Sequence, residues 1–190
     1  FYYKRMFGNE DFVYTLLERR KKSETLPEME LIALSSSNLK EVNRLAIYID
    51  KLEFEDGKKR SSVSVVGMSV EDTEIRVLWY SRLNGSKEYL SQTISLDLKK
   101  MSPIKSLYTA AWVDGKSKQS YVSCLYNEDL KQYCFLDELP ANYNESITAK
   151  VTVLNKNNNL EKSFEVDLPF GKLDEKAHKF ESGSPLEKRR

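Results

Sequence analysis

One histidine, two cysteines, five prolines and seven glycines are spread over 190 residues, and each scarcity closes off chemistry. The lone histidine, His178, falls in a polar stretch near the end. That removes most metal sites and most acid–base mechanisms that need an imidazole in a packed pocket, and it argues against a Ser-His-Asp or Cys-His nucleophile. Two cysteines and one distant histidine do not build a zinc site. Cys124 and Cys134 are also too far apart for a Cys-x-x-Cys redox pair. The glycines are isolated, so no Gly-rich phosphate loop is present. No apolar run approaches the length of a membrane span. Thirty basic residues balance 29 acidic ones for a net charge of +1, which leaves no global footprint for nucleic acid. No motif calls for a cofactor.

What remains is aromatic and β-prone. Eleven Tyr and eight Phe stand against few turn-formers. Short segments of Val, Ile, Tyr, Phe and Thr recur between polar or Gly-marked turns, which predicts about nine or ten strands. The expected class is all-β, mainly an antiparallel β-sandwich of immunoglobulin-like style, with one N-terminal helix.

That helix is expected over Asn9 to Lys22. Asn9 or Asp11 would cap it, and Val13, Leu16, Leu17 and Arg20 would share a face. Arg19, Arg20, Lys21 and Lys22 would then sit in its last turn, where cations meet the terminal carbonyls, and they double as a candidate basic contact. Residues 1–28 thus read as a helical segment, 29–170 as the β-domain, and 171–190 as a flexible polar tail. A seam near 99–106 would split the β-domain into two small halves. No internal repeat is visible in the residues themselves.

The stretch from Leu107 to Phe135 reads as three strands joined by two turns, the first turn at Asp114-Gly115. If Glu128 to Leu130 form the second, Cys124 faces Cys134. A cross-strand disulfide there would close a short loop and add about 2–3 kcal/mol. The opposing expectation is two buried free thiols. Further on, Ile147, Ala149, Val151 and Val153 alternate with polar residues. Leu160 to Leu168 returns with Phe164, Val166 and Leu168 expected inward, as in a hairpin buried on one face.

Tyr108, Trp112, Tyr121, Tyr126 and Tyr133 are candidate partner-binding aromatics, because Tyr and Trp suit a platform for a protein or a glycan. Asn84-Gly-Ser86 and Asn144-Glu-Ser146 are glycosylation sequons. The chain starts at Phe1, as after a trimmed leader, and its aromatics just before Lys4 and Arg5 read as a surface-docked terminus or as the end of a membrane anchor. The expected function is therefore non-catalytic: an extracellular or luminal module that binds a protein or glycan partner. The alternatives are a structural subunit of an intracellular assembly, held by its helix and tail, and the stem of a membrane-anchored enzyme such as a glycosyltransferase.

Overall fold

The computed structural model describes residues 2–19, 27–60, 62–83, 86–110, 121–127, 129–138 and 147–168. The chain is all-β. Its strands are β1 Tyr2–Gly8, β2 Phe12–Glu18, β3 Met29–Ser35, β4 Glu41–Ile47, β5 Val63–Glu71, β6 Glu74–Leu83, β7 Ser86–Ser95, β8 Lys105–Thr109, β9 Tyr121–Asn127, β10 Gln132–Glu138, β11 Ile147–Leu154 and β12 Leu160–Leu168. They form three antiparallel sheets of four, in the orders β1-β2-β3-β4, β5-β6-β7-β8 and β9-β10-β11-β12. Each sheet is a meander of consecutive strands. An immunoglobulin sandwich interleaves its strands between two sheets, and that order is not seen here.

The chain divides into two compact units, Phe1–Thr109 and Ala110–Arg190. The division falls inside the stretch that reads as one three-stranded meander. β8 pairs with β7 and closes the second sheet, whereas β9 opens the third.

The expected N-terminal helix is a hairpin. Phe12, Tyr14 and Leu16 alternate with Val13, Thr15 and Leu17, and an aromatic and β-branched run of this kind suits a pleated surface. Tyr14 and Leu16 are fully buried in β2. Asn9 makes a turn instead of a cap: its Oδ1 accepts the amides of Asp11 and Phe12 at 3.1 and 2.9 Å. Gly8 is required there, because a Cβ would lie 2.4 Å from the Phe12 carbonyl oxygen. Among the described residues the one helical element is a 3-10 turn, Ile49–Lys51, where the hydrophobic phase changes near Asp50. No helix among them is long and apolar enough to cross a membrane.

In the first unit one core draws on both sheets. Tyr14, Leu16, Met29, Leu31, Ala33 and Ile47 come from the first; Ile75, Val77, Trp79, Leu90 and Ile94 come from the second. Polar contacts tie the two together. Tyr14 donates its hydroxyl to the Leu96 carbonyl at 3.0 Å, and the Arg5 guanidinium on β1 donates to the Val66 carbonyl on β5. Trp79 is wholly buried and satisfies its indole N–H on Gln92 at 3.1 Å, as a buried Trp must.

In the second unit the register overturns the disulfide. Asn127 pairs with Gln132, so four residues separate the paired ends, and Lys131 takes the left-handed conformation at φ 51°. Cys124 therefore pairs with Phe135, and Cys134 with Leu125. Directly paired residues share a face and neighbours along a strand do not. The two cysteines thus sit on opposite faces, both as free thiols.

Candidate interaction surface

The two faces of the third sheet differ sharply. One carries Val122 and Cys124 on β9, Tyr133, Phe135 and Asp137 on β10, and Thr152 and Leu154 on β11. Val122, Tyr133, Phe135, Asp137, Thr152 and Leu154 are all buried there. Tyr126 packs on Tyr133 with ring centres 4.7 Å apart, and Tyr133 on Phe135 at 6.3 Å. Burial, and then the neighbouring Cys134, pushes the Cys124 thiol up to about 12, so it stays neutral near pH 7.

The opposite face is built from cross-strand rows. Leu125, Cys134, Val153 and Lys162 form one; Ser123, Leu136, Val151 and Phe164 form the next; Glu138, Ala149 and Val166 lie in the third. This face is apolar and open. Leu125 is 71% exposed, Phe164 50% and Val166 38%. Apart from buried Ala149, its other members are half-buried or exposed. The edge strand β12 is exposed from Glu161 through Asp167.

The first sheet also has a second, partly open face. The register places Met6, Val13, Thr15, Leu17, Ile32, Leu34 and Ala46 on it, away from Tyr14 and Leu16. Met6 is 58% exposed. Near its outer strand Arg44 pairs with Glu30 and Glu41, each at 2.8 Å. The second sheet differs from both. Beside its core face, Arg76, Leu78, Tyr89 and Ser91 on the other face are buried as well.

The connector after β4 holds a second polar cluster. Arg60 is only 2% exposed; it donates to Glu88 at 3.1 Å and grips Asp56 at 2.5 Å. Its guanidinium also lies 4.6 Å from the centre of the Phe54 ring, and Ser81 donates to Glu88 at 3.1 Å. The Arg60 hydrogen bond, backed by the Lys58 amide, lowers Asp56 to about 2. An open cavity of about 690 Å³ lies alongside, walled by Leu52, Phe54 and Val63 and rimmed by Lys58 and Lys59. Arg60 is engaged by Asp56 and Glu88, so this ion-pair cluster pins the connector. Among the described residues no group of three His, Cys, Asp or Glu is placed to hold a metal ion.

The aromatics read from the sequence do not gather into one platform. Tyr108 is half-buried on β8, in a row with Tyr89 and Tyr80. Tyr126 and Tyr133 lie on the third sheet's buried face. Trp112, the Tyr121 side chain, Asn84 and Asn144 lie outside what is described, as do Arg20, Lys21 and Lys22 and the tail 171–190. Arg19 is bonded locally, its Nε donating to the Pro27 carbonyl at 3.1 Å. The open face was missed because Phe164 and Val166 read as core. The alternation of Ala149 and Val151 along β11, and of Phe164 and Val166 along β12, with polar residues was the signal, and it groups residues correctly without saying whether anything covers them. No protein-family model matches this chain, and neither does any curated protein or solved structure.

Proposed function

We propose that the chain is a non-catalytic β-rich binding module, and that the open face of the β9–β12 sheet is where a protein partner docks. One observation carries this: Leu125, Phe164 and Val166 stand exposed on one face of a sheet whose other face buries Val122, Tyr133, Phe135, Thr152 and Leu154. Contiguous exposed apolar surface of this kind marks an interaction site. Its mostly aliphatic composition favours protein over glycan, since Tyr126 and Tyr133 lie on the opposite face. Shared core residues support sandwich-type packing of the first unit's two sheets, made from meanders. The two sequons are compatible with a secretory or extracellular location for the module, which they do not by themselves argue.

The test is Phe164→Lys, placed on an exposed edge-strand position so that folding is retained. In extracts of the native source the wild-type chain should run in a complex larger than itself. The variant should run at the mass of the free chain, with a melting temperature within a few degrees of wild type. Unchanged migration of the variant would refute docking at this face.

A further inference from the structure

We propose that the partner docks by adding an extended strand to the outer edge of β12, a strand that carries lysine or arginine opposite Glu165 and Asp167 and apolar residues beside Phe164 and Val166. This deepens the docking function just proposed and rests on it.

Three observations point to that partner. First, the edge is open and regular. β12 is the last strand of its sheet, and among the described residues no strand pairs with its outer side. An edge strand presents a row of unpaired amides and carbonyls to any chain that can lie along it. The register with β11 is unbroken from Lys162 to Leu168, and Glu161 through Asp167 are exposed. The outer strands β1, β4, β5 and β8 each lie in a pairing interrupted by a bulge, which turns an edge away from further pairing. On β9, Leu125 and Asn127 are the exposed members among the described side chains.

Second, the acids of β12 are uncompensated. In the first unit Glu30, Glu41, Asp56, Glu71 and Glu88 each hold an arginine. Among the described residues none of Glu161, Glu165 and Asp167 holds a cation. Glu161 accepts a hydrogen bond from Gln132, and Asp167 one from Thr148. The Glu165 carboxylate has neither a hydrogen bond nor an ion pair, although Lys150 is its neighbour on β11. Lys162 is the strand's one cation, and it lies on the other side with Phe164.

Third, the two sides of β12 ask for different residues, apolar beside Phe164 and Val166 and basic opposite Glu165 and Asp167. A strand that alternates the two continues both rows, its main chain supplying affinity and its side chains specificity. A second β12 does not fit. Antiparallel pairing centred on Phe164, Glu165 or Val166 sets Glu161 against Asp167, Glu165 against itself, or Glu165 against Asp167. Like charges directly opposed are destabilising.

The probe is a capped peptide that alternates lysine and valine and is as long as Lys162–Leu168. By fluorescence anisotropy it should bind the wild-type chain saturably, and its glutamate–valine counterpart should not. Glu165→Gln together with Asp167→Asn, both at exposed positions, should weaken the lysine peptide about three- to tenfold. Unchanged affinity, or equal binding of the glutamate peptide, would overturn the proposal. Alternate amides of a strand point the same way, so methylating every valine nitrogen or every lysine nitrogen blocks one edge of the peptide or the other. One methylated peptide should bind and the other should not. If both bound alike, or neither did, no strand would be added and the proposal would be wrong. Extracts of the native source separate this failure from failure of the docking function. If Phe164→Lys shed the complex while the Glu165→Gln, Asp167→Asn variant kept it, the face would dock its partner without an added strand. If Phe164→Lys kept the complex, the docking function would fall and this proposal with it.

Discussion

Replacing Arg60 by Met removes a charge and keeps most of the stem, so it isolates what the guanidinium does. Three partners lose it, and they are not equal. Asp56 is 40% exposed and regains water, so its lost pairing costs about 1 kcal/mol or less. The Phe54 ring loses a cation–π contact of about 1 kcal/mol. Glu88 dominates. It is 5% exposed, and without Arg60 it is left with the Ser81 hydroxyl, which donates to it at 3.1 Å. Breaking a buried pair from one side typically costs about 3–5 kcal/mol. The expected outcome is a drop of about 2 M in the urea midpoint of the first unit. Fluorescence of Trp79 reports that unit when Trp112 is replaced by Phe. The reasoning also makes a stricter demand: adding Glu88→Gln to Arg60→Met should recover about 2 kcal/mol, because the stranded charge is gone. If the double variant is no more stable than the single one, the cost lay in packing and the electrostatic account fails.

Four further outcomes rest on the same fold. Asp56 is depressed from 3.8 to about 2, so its pairing stabilises the fold above pH 4 and is lost as pH falls through about 2; the urea-midpoint gap between wild type and Asp56→Asn should hold from pH 7 to about 4 and close below that. Leu39 is held at φ 56° on the surface, so Leu39→Gly should stabilise by about 0.5–1 kcal/mol; Leu98→Gly, at φ 57° but 3% exposed in the core, should instead cost about 2–4 kcal/mol in thermal melts. Gly8→Ala drives a methyl into the Phe12 carbonyl and should cost about 1–3 kcal/mol, with hydrogen exchange rising first in β1 and β2. Iodoacetamide at pH 8 should alkylate Cys134 before Cys124, and diamide should form no bond between them within one molecule, because they lie on opposite faces.

The β-class was legible because Ile147 to Val153 and Phe164 to Leu168 alternate cleanly, and that hairpin is β11 and β12. The helix was misread for a definable reason. Val13, Leu16 and Leu17 fit a helical spacing over barely two turns, while Phe12, Tyr14 and Leu16 fit a strand equally well. In so short a window the choice falls to tertiary packing, here the pairing of Tyr14 with Ala33 and of Leu16 with Leu31. The disulfide failed on a single residue. A three-residue turn was counted and four residues intervene, and a slip of one inverts every side chain. The open face was not legible at all, since sequence shows which residues share a face and not what lies on it.

The repeat escaped the sequence too, because it lives in topology and not in residue identities. Three meanders begin at Tyr2, Val63 and Tyr121, about 60 residues apart, and four consecutive strands in spatial order are also how a propeller blade is built. Their last strands, β4, β8 and β12, are the most exposed of their sheets. The central strands β6 and β7 of the second sheet bury residues on both faces, whereas the first and third sheets each leave apolar residues exposed on one. Stability and association should therefore separate by residue. Arg60 and Glu88 lie inside the first unit, so changing them should move the unfolding midpoint and leave association of the folded fraction untouched. Phe164 lies on the open face, so a charge there should abolish docking and leave the midpoint within about 0.5 kcal/mol of wild type. If Phe164→Lys unfolded the second unit, the face would have to be buried within the molecule, and the docking site would fall.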